Sequence, residues 1–184
     1  MEYGGKWSEH WCRIGDVWQK LASLHSEYGG LMDQNVYISQ LQFRSPKRSV
    51  ELTVDGVRRV NVAAFSVCFV NVDGKIAGHE SMSAEEWKCL VLEFCLLKGI
   101  PVPSEIVFSG NGVHVKYFFN RPVRVDSDEV FREWQRLERM LYELFKEIGA
   151  DSKATDGARV LRLVGSRNCK PDTKDRDVSY RSFW

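Results

Sequence analysis

The chain has 184 residues, of which 43% are hydrophobic and 12% aromatic, and its formal net charge is +1. This length allows one good hydrophobic core but is short for two, so we expect a single domain over residues 1–184. No apolar run is long enough to span a bilayer, and the first residues lack the apolar stretch of a signal peptide. The five cysteines show no metal-ligand spacing. We therefore expect a soluble, cytoplasmic protein with no membrane partner.

The near-neutral total charge does not decide whether the partner is nucleic acid, because a local basic patch can bind phosphate within a neutral protein. Residues 153–176 contain more basic than acidic side chains. Such a segment is typical either of a phosphate-binding surface or of a solvated terminus.

The first predicted element is a helix from residue 7 to about residue 28, within an N-terminal segment that covers residues 1–30. Its apolar residues recur at three- and four-residue steps and two glycines follow it, so we expect the helix to pack on a sheet. A strand is predicted over residues 35–43. A charged connector over residues 44–48 follows this strand.

A near-continuous apolar run over residues 63–72 is rich in valine and phenylalanine, which is typical of a central strand buried on both faces. The strand is predicted to end at Asp73, just before a glycine. A second helix begins at Ser83, which has the spacing of a capping box with Glu86, and it ends at Gly99.

Strands are predicted over residues 105–108 and 113–119, and the Asn-Gly pair between them favours a tight hairpin turn. A third helix is predicted over residues 128–148, because its apolar residues lie on one face. Strands and helices interleave without βαβ regularity. The predicted fold class is therefore α+β, with a largely antiparallel central sheet flanked by helices.

Two oxygen-bearing side chains lie at the end of the apolar strand. Strand alternation points Asn71 and Asp73 to the same side, where carboxylate and amide oxygens are suitable ligands for a divalent cation. The alternative is that Asp73 only begins the turn before Gly74.

The run Ser109-Gly110-Asn111-Gly112-Val113-His114 combines small residues with polar side chains. Its glycines, Gly112 among them, allow backbone N–H groups to approach an anion, while Ser109 and His114 offer side-chain donors. The alternative is an ordinary hairpin turn followed by a structural histidine.

A third polar segment begins at Asp151 and continues through the strand Arg159-Val160-Leu161-Arg162-Leu163 to Lys170. Arginines within an apolar strand are costly to bury without partners, so we expect Arg159 or Arg162 to face a phosphate-binding cleft. The alternative is that Arg162 satisfies a buried carboxylate.

These three segments, in this order, resemble the motifs of the archaeo-eukaryotic primase superfamily, and most closely those of the plasmid-type RepB-primase family. The resemblance covers about residues 35–170, which would form the catalytic core. The family's Asp-x-Asp motif corresponds to residues 71–73, and its Ser-Gly-x-Gly-x-His motif to residues 109–114. Its third motif, an aspartate before Arg-x-x-Arg-Leu and Gly-x-x-Asn-x-Lys, corresponds to residues 151–170. Each motif is weak alone, and the ordered set is specific.

The resemblance implies an RRM-like primase-polymerase core and the activity of a DNA primase, a nucleotidyltransferase. Such an enzyme synthesises primers on single-stranded DNA from nucleoside triphosphates, here for replication of a plasmid or other mobile element. A replicative helicase or initiator would be a further partner. The resemblance implies Mg²⁺ or Mn²⁺ as cofactor, with the metal-ligand positions Asn71, Asp73 and Asp151. It implies these triphosphate-binding residues: Ser109, Gly112, His114, Arg162 and Lys170; His114 would act with the metal ligands in catalysis.

The sequence departs from the family pattern at Asn71, where the pattern has its first aspartate. An amide offers one carbonyl oxygen to a metal ion but lacks the negative charge that attracts it, so we expect impaired activity. Asp156 is an alternative to Asp151 as the third carboxylate, since it too precedes the arginine strand.

The departure also favours an alternative function. A catalytically silent module could bind single-stranded DNA on the same sheet, with Tyr37, Phe43 and Tyr117 as platforms on which bases stack.

Overall fold

The computed structural model of the chain describes residues 8–30, 34–47, 49–169 and 176–182. The strands of the main sheet are β2 (Leu41–Phe43), β5 (Val62–Asp73), β6 (Glu105–Phe108), β7 (Gly112–Arg124) and β11 (Ser179–Ser182). They form an antiparallel sheet of order β11-β6-β7-β5-β2.

The described residues also form three short antiparallel pairs. They are β1 (Tyr37–Ser39) with β8 (Val160–Arg162), β3 (Glu51–Val54) with β4 (Val57–Val60), and β9 (Arg167–Asn168) with β10 (Arg176–Asp177). The helices are α1 (Val17–Glu27), α2 (Gly74–Ala77), α3 (Ala84–Lys98) and α4 (Asp128–Phe145). The α+β class with an antiparallel sheet is confirmed. No helix in the described part of the chain has both the length and the apolar character needed to cross a membrane.

The long strand β5 organises the core, as its apolar sequence predicts. Val62, Val67, Phe69, Val70 and Val72 are all buried. The side chains of a strand alternate between its faces, so burial of consecutive residues means that both faces of β5 are covered.

Helix α4 packs against the part of β5 that β2 leaves uncovered, since β2 pairs only with residues 62–65. There the indole Nε1 of Trp134 donates to the carbonyl of Val67 at 2.9 Å, and the backbone N–H of Phe69 donates to Glu138 Oε1 at 2.8 Å. Two side chains of α4 thus satisfy backbone groups that would otherwise be unpaired at a buried strand edge.

The predicted start and end of helix α3 are confirmed. The Ser83 side chain accepts from the N–H of Glu86, and the Glu86 carboxylate accepts from the N–H of Ser83. Gly99 ends the helix with φ of +65°, a conformation that glycine adopts without steric cost.

The prediction for the N-terminal helix is wrong in where the helix begins and in how it packs. The α-helix begins at Val17, after a 3₁₀ turn at Ile14–Asp16, and residues 1–7 lie outside the described residues. Only Leu24 of this helix is buried, whereas Trp18 is 80% exposed. An amphipathic stripe shows which face of a helix is apolar, but it does not provide a surface for that face to pack on.

The predicted strand over residues 35–43 is two strands, β1 and β2, which separate at Gln40 and join different partners. The Ser39 hydroxyl donates to the carbonyl of Leu41 and accepts from its N–H, and such local bonds compete with a continuous ladder.

The charged connector leads into a hairpin, β3–β4, that the prediction missed. Its turn residues, Asp55 and Gly56, both have positive φ, at 51° and 77°. An Asp-Gly pair with two positive φ values is typical of a tight hairpin turn, so the signal was present in the sequence.

Candidate functional site

The first two predicted segments meet at the end of β5. Asn71 lies opposite His114 of β7, and Asp73 lies opposite Gly112. Cross-strand partners project to the same face, as do residues two apart on one strand. The side chains of Asn71, Asp73 and His114 therefore share one face of the sheet.

The third segment joins β5 on its other side. The N–H of Asp151 donates to the carbonyl of Asn71 at 2.8 Å, and the N–H of Asp73 donates to the carbonyl of Gly149 at 2.9 Å. Gly149 has φ of +95°, and a Cβ there would lie 3.0 Å from the carbonyl oxygen of Asp73. This close approach depends on glycine, and it brings Asp151 beside Asn71.

Both aspartates of the site also stabilise local turns. Asp73 Oδ1 accepts from the N–H of Lys75 at 2.8 Å, so Asp73 does begin a turn, as the alternative interpretation proposed. Asp151 Oδ1 accepts from the N–H of Lys153 at 2.9 Å, and its Oδ2 lies 3.5 Å from Arg159 Nη2. A carboxylate has about four lone-pair directions, so these contacts leave each group able to accept further ligands.

The donor set is compatible with a hard divalent cation but has low charge. Carboxylate and amide oxygens are the ligands that Mg²⁺ and Mn²⁺ prefer, and Asp73, Asp151 and Asn71 supply them at one strand end. Within the described ranges, no group of three or more histidine, cysteine, aspartate or glutamate side chains has a metal-binding arrangement. The amide at position 71 leaves the set with two carboxylates.

Asp156 has a different environment from Asp151. It is exposed, and its Oδ1 accepts from the N–H of Ala158 at 2.9 Å in the turn before β8. Only Asp151 is hydrogen-bonded to the β5 backbone among these two aspartates. The geometry favours Asp151, and the assignment of the third carboxylate stays a prediction.

The turn between β6 and β7 is stabilised by hydrogen bonds within the turn and by one from the third segment. The N–H and the hydroxyl of Ser109 both donate to the carbonyl of Gly112, at 2.9 and 3.1 Å. Asn168 Nδ2 donates to the carbonyl of Ser109 at 2.9 Å. Gly110 has φ of +106°, and a Cβ there would lie 2.6 Å from Asn168 Nδ2. Asn168 thus couples the second segment to the third, a contact that the sequence did not reveal.

His114 is buried in a cationic environment. It is 5% exposed, and its Nδ1 has no hydrogen-bond partner among the described residues. Burial, reinforced by Lys116, Arg162 and Arg159, lowers the pKa of His114 to about 3. The imidazole is therefore neutral near pH 7 and could offer one N–H to an anion, but no positive charge.

Lys116 has a carboxylate partner that is largely buried, as it is itself. Its Nζ lies 2.9 Å from Glu105 Oε2, and both side chains are largely buried. The prediction did not include this pair.

Arg162 is a buried cation. It is 6% exposed, and burial lowers the pKa of its guanidinium from the ordinary value. Its Nη1 donates to Asn35 Oδ1 at 2.5 Å and to the carbonyl of Arg167 at 3.4 Å, and the guanidinium lies 4.9 Å from the ring centre of Tyr37. In the part of the chain that the structure describes, no carboxylate pairs with it. The alternative that Arg162 satisfies a buried carboxylate therefore finds no support there.

Lys170 lies outside the described residues. The three aromatic residues of the alternative function already have protein partners. Tyr37 stacks against Arg162, and Phe43 packs on the core and meets Trp11 edge to face at 6.1 Å. Tyr117 donates its hydroxyl to the carbonyl of Pro101 at 3.1 Å, and burial raises the pKa of that hydroxyl.

A cleft of about 560 Å³ lies at the other end of β5, between the β3–β4 hairpin and the start of α4. Its lining includes Arg44, Arg58 and Arg59, together with Asp126 and Asp128. None of the predicted site residues lines this cleft. The predicted site residues lie at the strand end instead, so the strand end remains the candidate site.

Comparison with known proteins places this geometry in context. No family model matches the chain. A curated protein of Clostridium perfringens named "Replication protein" is 26% identical over 147 residues, which are 78% of this chain and 31% of that protein. The chain thus spans about a third of the length of this curated relative.

Among solved structures, the AEP domain of the cyanophage S-2L Primase-Polymerase superposes with a TM-score of 0.53. The match covers 95% of this chain and 73% of that domain, at 18% identity. The chain therefore has the mixed α+β fold of an AEP primase-polymerase domain.

Proposed function

We propose that the chain is the nucleotidyl-transfer domain of a DNA primase, which synthesises primers from nucleoside triphosphates on a single-stranded DNA template. The observation that carries the proposal is the meeting of three motif segments at the end of β5, within the fold of a primase-polymerase domain. The likeness to a replication protein supports it.

In this proposal Asp73, Asp151 and Asn71 hold Mg²⁺ or Mn²⁺. A bound ion would neutralise charge on the triphosphate and on the transition state of phosphoryl transfer. The chain's own contribution is to fix two carboxylates and an amide on adjacent backbone segments, through the bonds between Asp151 and Asn71 and between Asp73 and Gly149.

The triphosphate would lie at the same end of β5, on the side where β7 and its preceding turn pack. The turn from Ser109 to Gly112 would offer backbone N–H groups and His114 a neutral donor. Arg162 would supply positive charge that no carboxylate of the described residues cancels. Lys170 is a further phosphate-binding candidate from the resemblance alone.

The finer assignments rest on the sequence alone. They are a RepB-type primase of a plasmid or other mobile element, a single domain over residues 1–184 with its core at 35–170, a helicase or initiator as partner, and a cytoplasmic location.

One observation favours a second candidate, a catalytically silent module that binds single-stranded DNA. With Asn71, the site has two carboxylates where the family motifs have three. In the described ranges, no group of three or more histidine, cysteine, aspartate or glutamate side chains could hold a metal ion. Because Tyr37, Phe43 and Tyr117 contact protein groups, such a module would bind DNA mainly through its phosphates rather than by base stacking.

The two candidates differ in a primer-synthesis assay on single-stranded DNA with labelled nucleotides and Mg²⁺ or Mn²⁺. The primase proposal predicts extended products that Asp73→Ala abolishes. Asp126→Ala, which removes an exposed aspartate away from the site, is the matched control and should retain synthesis. DNA binding without synthesis under either ion would favour the silent module, and synthesis that survives Asp73→Ala would contradict the proposed site.

A further inference from the structure

We propose that Asn35 is a positioning residue that holds Arg162 in place without cancelling its charge, so that the guanidinium remains available to a polyphosphate. The inference rests on the proposed function, in which Arg162 contacts the triphosphate. It assigns a role to a residue just before β1, outside the three motif segments.

The Asn35 side chain joins three parts of the chain. Its Oδ1 accepts from Arg162 Nη1 at 2.5 Å, across 127 residues, and from the N–H of Cys169 at 3.1 Å. Tyr37, two residues later, pairs with Arg162 in the β1–β8 ladder and lies under its guanidinium. Asn35 therefore fixes the guanidinium relative to both the β1 strand and the segment that follows β9.

The partners of Arg162 share one property. An amide oxygen, the carbonyl oxygen of Arg167 and the face of an aromatic ring all attract a cation, yet none carries a formal charge. A buried cation is normally paired with a carboxylate, because burial of an unpaired charge is costly. Among the described residues, the guanidinium is instead satisfied by neutral groups, which leave its positive charge uncancelled beside His114.

Arg159 provides an internal comparison. Its side chain is 39% exposed and pairs with Asp151 at 3.5 Å. In the part of the chain that the structure describes, the more exposed arginine thus has a carboxylate partner and the buried one does not, which is the reverse of what stability alone favours. A binding role for the charge of Arg162 accounts for this distribution.

The substitution Asn35→Asp separates the two possible roles of the amide. Aspartate has nearly the same shape, and it can accept the same two hydrogen bonds. It would also place a negative charge against the guanidinium. If Asn35 only supports the fold, Asn35→Asp should leave both Tm and polyphosphate affinity unchanged. If the amide keeps the charge of Arg162 uncancelled, the polyphosphate affinity should fall while the fold is kept.

The test measures the affinity of inorganic tripolyphosphate and of a nonhydrolysable nucleoside triphosphate by calorimetric titration, together with Tm. The proteins are the wild type, Asn35→Asp, Asn35→Ala and Arg162→Ala. Gln34→Glu is the matched control, because it adds the same charge one residue away, on a side chain that contacts the carbonyl of Tyr28 instead of Arg162.

We expect Asn35→Asp to weaken polyphosphate binding roughly tenfold or more, about as much as Arg162→Ala, with a Tm no lower than that of the wild type. Asn35→Ala should lower both Tm and affinity, because the guanidinium loses its anchor. Gln34→Glu should change the polyphosphate affinity by less than about twofold. A surface charge that does not contact Arg162 directly is screened by the solvent and its ions.

Wild-type affinity in Asn35→Asp, with weakened binding in Arg162→Ala, would overturn the positioning role and leave the proposed function intact. A clear fall in Tm for Asn35→Asp would also overturn it, because the proposal requires that aspartate is tolerated by the fold. Wild-type affinity in both Asn35→Asp and Arg162→Ala would instead remove Arg162 from the triphosphate site of the proposed function.

Discussion

Glu138 should make the stability of the fold fall as pH rises above neutrality. It is 1% exposed, its Oε1 accepts from the backbone N–H of Phe69, and burial raises the pKa of the carboxyl to about 8. The unfolded chain releases this proton near the ordinary value of about 4.5, whereas the folded chain retains it. The contribution of Glu138 is therefore complete below pH 4.5 and is lost as pH rises towards 8, at about 1.4 kcal/mol per pH unit.

The contribution of His114 to stability has the opposite pH dependence, and it limits the pH range in which Glu138 can be tested. Its pKa is lowered to about 3 in the folded chain, so its contribution is complete above its ordinary value near 6.5 and is lost as pH falls. Between pH 6.5 and 8 the Glu138 term dominates, since at pH 6.5 the His114 term is already within about 0.4 kcal/mol of its full value. Over that interval Glu138 should lower the free energy of unfolding by about 2 kcal/mol.

Glu138→Gln tests this reasoning. The glutamine amide oxygen can accept from Phe69 N–H without any charge, so the variant should keep its stability between pH 6.5 and 8 while the wild type loses about 2 kcal/mol. Urea unfolding followed by tryptophan fluorescence at several pH values in this window measures the difference. Glu133→Gln, on the exposed face of α4, should leave the wild-type slope unchanged. Parallel curves for the wild type and Glu138→Gln would refute the buried, protonated state of Glu138.

Two further predictions concern the candidate site. Asp73→Ala and Asp151→Ala should each abolish nucleotide incorporation in the primer assay while the fold is kept, with only a small fall in Tm because each removes the side-chain acceptor of one turn N–H. An inactive Asp156→Ala beside an active Asp151→Ala would show that the third carboxylate is Asp156. His114→Ala should weaken the affinity of a nonhydrolysable triphosphate about tenfold in calorimetric titration. A lowered Tm with unchanged affinity would instead assign His114 a purely structural role.

The elements with strong local signals could be predicted from the sequence. Helix α3 has its capping box at Ser83 and Glu86 and its glycine stop at Gly99, and β5 has an uninterrupted apolar run. These signals depend on neighbouring residues, so they are readable without knowledge of the tertiary structure. Strand alternation likewise predicted that Asn71 and Asp73 share a face.

Features that depend on distant partners could not be predicted in this way. The apolar pattern of α4 assigned Leu137 and Leu144 to its packed face, yet both remain more than a third exposed while Glu138 is buried. Glu138 is buried because its Oε1 accepts from the backbone N–H of Phe69 on β5, a partner 69 residues away. The strand break at Gln40 has a similar cause, since β1 and β2 find different partner strands.

The same limit applies to the candidate site. The sequence predicted that Arg159 or Arg162 faces a phosphate, but it could not show which of the two has a carboxylate partner. The contacts that decide this join Arg162 to Asn35 and Ser109 to Asn168, across 127 and 59 residues. No periodicity or motif spacing reports pairings of that range.

The most direct test of the central claim compares the wild-type chain with Asn71→Asp in metal binding and in primer synthesis on single-stranded DNA. The amide lies beside Asp151 and on the same face as Asp73, so a carboxylate at this position should add the charge that draws a divalent ion to the strand end. The account predicts that Asn71→Asp binds Mn²⁺ more tightly and synthesises primers faster than the wild type. Identical metal affinity and identical synthesis in the two proteins would contradict a metal site at the end of β5.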